Sequence, residues 1–196
     1  LVALAYTPYF TRLLNPENKP YHQLYEWLIA NASSLSDEDK SLPSIKEIAA
    51  ELKTDSSKIS KNLKLIYHYI HSLNEKSPDL FKKEGQKLCS LSFNYLGSYA
   101  QFNLGLDVIP RIGEAFHFWF VKPINGGTSF HVNDVVHSYD KGVHETWIYL
   151  SNEYPNGYLQ LLKEKAYLHH DISFSELISV TNFSLEEKLV QWHKTL

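Results

Sequence analysis

The hydrophobic pattern of this chain changes period near Gly85, and that change constrains the fold more than any other feature. Before it, apolar residues recur at spacings of three and four; after it, they alternate with polar ones. The first period buries one stripe of a helix and the second buries one face of a strand, so the two stretches require different elements. Tyr21, Leu24, Trp27 and Leu28 make a first helical stripe that runs out in the polar stretch Ser33 to Lys40. Pro43 is followed by Ser44-Ile45-Lys46-Glu47, a capping box that predicts a helix to about Leu52. A longer helix starts at Thr54 or Asp55, with Ile59, Leu63, Ile66, Ile70 and Leu73 on one face down to Asn74. Ahead of these, Pro8, Pro16 and Pro20 interrupt residues 1–20, which read as an arm lying on the body. Ser77-Pro78 then opens a short helical turn leading to Gly85.

Beyond Gly85, Leu91, Phe93 and Tyr95 alternate with Ser90, Ser92 and Asn94, and Gly97-Ser98 turns into a second run, Tyr99 to Ile109. A third strand is expected over Ala115 to Lys122, and Asn125-Gly126-Gly127 reads as a hairpin turn into a fourth, Thr128 to Tyr139. Asp140-Lys141-Gly142 turns into the fifth, Val143 to Leu150. Pro155 to Leu196 returns to helical spacing, with Ser173 and Ser184 as candidate caps. The expectation is an α+β protein: a helical domain over 1–76, then a small antiparallel sheet or barrel with C-terminal helices over 77–196.

With 196 residues, 43% of them hydrophobic and 14% aromatic, the chain can build a sizeable core. No apolar run approaches a membrane span and no secretory leader is evident, so a cytoplasmic protein is expected. Cys89, the single cysteine, lies in the alternating pattern and reads as a buried thiol without a disulfide partner. The chain has no methionine, even at position 1. The net charge of −3 and pI near 6.4 give no overall attraction to nucleic acid, so any such contact must come from a local basic face.

Such a face is present. If Ile59, Leu63 and Ile66 point inward, helical spacing puts Ser56, Ser57, Ser60, Lys61 and Lys64 on the other side with Lys58 at its edge, and no acid intervenes between Ser56 and Tyr67. Lysines neutralise phosphates, and Ser and Lys can donate to base edges. Together with Ile48, Ala49 and Leu52 on the preceding helix, these spacings resemble the helix-turn-helix, possibly winged, of bacterial DNA-binding regulators over Pro43 to Tyr67. Two departures stand out: Lys53 occupies the turn where many members have Gly, and Asn62 a position that is commonly apolar. The resemblance implies double-stranded DNA as partner, transcriptional regulation as function and a homodimer as the binding form. It implies neither cofactor nor catalysis, and Leu88 to Leu106 is the stretch that could serve as a wing.

Two rivals come from other classes. His131, Asp134 and His137, with His117 or His144 from neighbouring strands, would make a metal-dependent hydrolase if a bend converged them; on an unbroken strand Asp134 faces away from both histidines. A protein-interaction adaptor that reuses the helical fold is the other. His68 and His71 read as surface histidines, Trp119 with Tyr149 would form a stacking surface if exposed together, and neither a nucleophile elbow nor a phosphate-binding glycine loop occurs.

Overall fold

The computed structural model describes residues 1–37, 39–154, 157–173, 175 and 189, the side chains of 159 and 160 excepted. The chain divides into two compact units, Leu1–Tyr154 and Pro155–Leu196. Helices and sheet of the first unit share one core, so the change of period at Gly85 is a change of element within a unit, and the division expected between 76 and 77 falls at 154 instead.

The N-terminal residues are part of that core. Two short helices, α1 (Val2–Ala5) and α2 (Pro8–Arg12), take the place of the expected arm, and Pro8 starts α2 where its missing N–H is no loss. Phe10 lies among Phe81, Phe102, Phe118 and Phe120 with ring centroids 5.1–6.1 Å apart, mostly edge to face or tilted. Burying a phenylalanine there contributes roughly 1.5–3 kcal/mol.

Next come α3 (His22–Ala30), α4 (Ala32–Leu35), α5 (Ile45–Glu51) and the long α6 (Ser56–Lys76). The capping box forms as expected: Ser44 N–H donates to Glu47 Oε2 at 2.6 Å, and Glu47 N–H donates to Ser44 Oγ at 3.3 Å. Hydrogen bonding from Ser44, its backbone N–H first, holds the Glu47 carboxyl below its ordinary pKa. Ile59, Leu63, Ile66 and Ile70 are buried, as their spacing predicts. Asn62, the polar departure, is buried as well and donates to the Pro20 carbonyl at 3.1 Å, tying α6 to the chain entering α3. A 3-10 turn (Pro78–Phe81) leads to the sheet.

The strands β1 (Lys87–Tyr95), β2 (Ser98–Leu106), β3 (Ala115–His117), β4 (Ser129–Asp140) and β5 (Val143–Ser151) form one curled sheet in the order β2-β1-β5-β4-β3. It is mixed rather than antiparallel, because β1 and β5 run parallel where the hairpins β1–β2 and β4–β5 meet. The third strand is shorter than expected. Chain 118–121 leaves it for the small helix α7 (Lys122–Asn125), so Asn125-Gly126-Gly127 ends a helix instead of closing a hairpin. Gly126 caps α7 at φ +87°, and Gly127 lies flush against the Tyr95 ring, where a Cβ would collide.

One face of the sheet carries Cys89, Leu91, Phe93, Phe102, Phe130, Val132, Ile148 and Leu150 into the core. Burial pushes the Cys89 thiol above its ordinary pKa, as fits a packing residue. The helices close on this face: Tyr67 of α6 stacks on Phe120 with centroids 4.7 Å apart and donates its hydroxyl to the Phe120 carbonyl at 2.9 Å. At the sheet margin, Asn74 of α6 accepts from Asn103 N–H at 2.8 Å and donates to Asn103 C=O at 2.7 Å. Its carboxamide thus does for Asn103, on the outer edge of β2, what another strand would. The stretch read as a possible wing is therefore body of the sheet, with its outer edge met by α6 at Asn103.

In the second unit α8 (Gly157–Leu168) packs Leu162 and Ala166 with Ile172 and Leu189. Ser173 Oγ lies 2.9 Å from Ser175 Oγ; Ser184, the other candidate cap, lies outside the described residues. Among the described residues no helix is long and apolar enough to cross a membrane.

Candidate nucleic-acid interface

The connection between α5 and α6 decides how α6 is presented. Lys53 N–H donates to Ala50 O at 3.2 Å and Thr54 N–H donates to Ala49 O at 2.9 Å. Lys53 between them has φ +49°, the left-handed conformation. This pattern is a Schellman ending, which closes a helix in its last turn and turns the chain sharply. Lysine thus does the work usually given to glycine at this position, and the turn is tight despite the substitution. Gln23 of α3 fixes it further by donating to the Leu52 carbonyl at 3.1 Å.

Asp55 follows as the N-cap of α6. Of the six residues expected on the outer face, Ser57, Lys58, Lys61 and Lys64 are exposed, while Ser56 and Ser60 are half-buried on its flank. At 100° per residue those two serines fall toward the buried stripe, and the exposed centre lies along Ser57, Lys61, Lys64 and His68. Among the described residues no carboxylate pairs with Lys58, Lys61 or Lys64; the ion pairs of the first unit join Lys40 to Asp37, His71 to Glu75 and Lys82 to Asp79. The three ammonium groups are therefore available to an outside anion.

Sequence reasoning stopped at Lys64 and missed how the face continues. His68, one helical turn beyond Lys64, is exposed on the same side. Tyr69 is exposed beside it, with Lys19 Nζ held 6.0 Å from its ring centroid and the Tyr21 ring 5.6 Å away. The His68 signal was available in the i+4 spacing. The Lys19 signal was not, because it depends on where residues 16–20 come to lie.

The proposed metal set is not brought together. An extra residue, Asn133, bulges from β4, so the register passes from Val132 opposite Leu150 to Asp134 opposite Tyr149. Directly paired residues share a face, which puts His131, Asp134, Trp147 and Tyr149 outside. His137, opposite Thr146, is on the other face. The bulge therefore inverts the expected arrangement: Asp134 joins His131, and His137 leaves them. His131 sits edge-on to Tyr154 at 5.1 Å between centroids, and His117 lies across from Ser129 on β3. Among the described residues no group of three or more His, Cys, Asp or Glu is close enough to hold an ion. Trp119 is stacked under Tyr6 at 4.5 Å with Lys122 Nζ 5.3 Å from its ring, whereas Tyr149 stands on the outer sheet face, so the two make no ring contact.

No family model, no curated protein and no solved structure matches this chain.

Proposed function

We propose that the chain is a sequence-specific DNA-binding protein, a transcriptional regulator in which α5 and α6 are the supporting and recognition helices of a helix-turn-helix, and that it acts as a homodimer. The observation that carries this reading is the α6 face from Ser57 to Lys64: exposed, cationic and hydroxyl-bearing, without an acid and, among the described residues, without an ion pair, at the N-terminal end of a helix that leaves a tight turn. A recognition helix meets base edges with its N-terminal residues, which is where this face lies. In this reading Lys58, Lys61 and Lys64 neutralise phosphates, and Ser57 with the flanking Ser56 and Ser60 donates to backbone or base edges.

The chain as a whole carries −3, so one such helix binds weakly and two half-sites joined in a dimer supply the affinity. Binding to mixed duplex DNA, followed across salt concentration, tests the assignment. Each phosphate neutralised contributes about −0.9 to the slope of log K against log salt, so Lys58→Ala/Lys61→Ala/Lys64→Ala should flatten the slope by about 2–3. No binding at low salt, or binding that the triple variant leaves intact, overturns the proposal.

A further inference from the structure

We infer that His137 and His144 bind a zinc ion on the β4–β5 ribbon, with the Thr146 hydroxyl beside them as a third, weaker donor. The placement follows from the bulge at Asn133: by carrying His137 to the face opposite His131 and Asp134, it sets His137 across from Thr146 and diagonal to His144. His137 Nδ1 then stands 3.3 Å from His144 Nε2 and 3.2 Å from Thr146 Oγ1, with the rings tilted by 30° and their centroids 5.3 Å apart.

These separations match the bite of a metal ion. Two donors bonded to one tetrahedral zinc at about 2.0–2.1 Å lie about 3.3–3.4 Å from each other, whereas a hydrogen bond to nitrogen is best near about 3.0 Å. The ligand set also narrows the class of ion. Neutral imidazole suits zinc and its neighbours, and a set without carboxylate does not suit magnesium or calcium. Asp134, Asp140 and Glu145, the acids nearest in sequence, pair with Tyr149, Val143 and Ser138 and project to the other face.

The site is reachable and firm. Both imidazoles are exposed, while Thr146 is buried and the β4–β5 ladder continues to either side of it. The donors are thus set on strands rather than on a loop. Two histidines and a hydroxyl leave a fourth position for water, so the ion is held at the surface and the fold does not depend on it.

The test is calorimetric zinc titration of the chelator-stripped chain at neutral pH, for the wild type, His137→Ala, His144→Ala and the control His131→Ala. The expected result is one zinc per chain, an affinity lowered by about tenfold or more in each of the first two variants, and no change in the control. Histidine ring NMR of the unaltered chain gives a readout that needs no variant: zinc should shift His137 and His144 and leave His68 and His71 in place. Absence of zinc binding, binding indifferent to both variants, or shifts confined to other histidines overturns the inference.

Discussion

Lys53 offers the sharpest test of the α5–α6 turn. A side chain other than glycine at φ +49° places Cβ against the following carbonyl, at a cost of about 1–2 kcal/mol. The Lys53 side chain is exposed and has no ion pair among the described residues, so removing it forfeits little. Lys53→Gly relieves the crowding but frees the unfolded chain, which returns about 0.5–1 kcal/mol of the gain. The net is a stabilisation of about 0.5–1 kcal/mol. For the unit Leu1–Tyr154 it raises the melting temperature by roughly 2–4 °C per kcal/mol. Lys53→Ala is the matched control: it removes the same charge yet keeps Cβ, so it should stay near the parent. Parallel urea and thermal unfolding of the three proteins measures both. A Lys53→Gly variant no more stable than Lys53→Ala would show that the turn is not held left-handed and that the Schellman ending is misassigned.

The remaining perturbations test packing and charge separately. Asn74→Leu leaves the Asn103 N–H and C=O without their partner and should cost about 2–4 kcal/mol by denaturant titration; a loss under about 0.5 kcal/mol would mean that water replaces the carboxamide freely. Tyr67→Phe removes a buried donor and should cost about 1 kcal/mol at neutral pH. Because burial holds the Tyr67 phenol protonated well above its ordinary range, its contribution is complete below about pH 10 and is lost as pH rises further, by up to about 1.4 kcal/mol per pH unit. Alkaline unfolding curves of Tyr67→Phe should lack that increment of slope, and identical slopes would place the phenol in water. The triple lysine variant should unfold like the parent while its DNA salt slope flattens, since its three side chains make no ion pair among the described residues; a large loss of stability would assign those lysines to the fold.

What could be read from the sequence follows the range of the forces involved. The Ser44–Glu47 capping box, the buried face of α6 and both hairpins, β1–β2 and β4–β5, are set by neighbours a few residues apart, and each lies where its pattern puts it. The basic face was legible for the same reason, since α6 periodicity alone separates Lys61 and Lys64 from Ile59 and Leu63. The half-burial of Ser56 and Ser60 shows where a two-sided reading of a helix is too coarse. Lys53 misleads in the opposite direction: residue type argued against a tight turn, yet two backbone hydrogen bonds hold one and the lysine tolerates the strain.

The parallel pairing of β1 with β5 and the role of Phe10 in the core depend on contacts between residues 50 or more positions apart, which no local period encodes. The Asn133 bulge shows how far one such feature reaches. Alternation assigns His131 and His137 to one face because it counts residues, whereas the fold counts hydrogen-bonded pairs, and one unpaired residue reverses every side chain after it. The same insertion that dismantles a His131, Asp134, His137 cluster also creates the His137, His144, Thr146 cluster. Candidate ligand sets on strands are therefore decided by register, which only the pairing with β5 reveals, and those on helices by periodicity, which the sequence already holds.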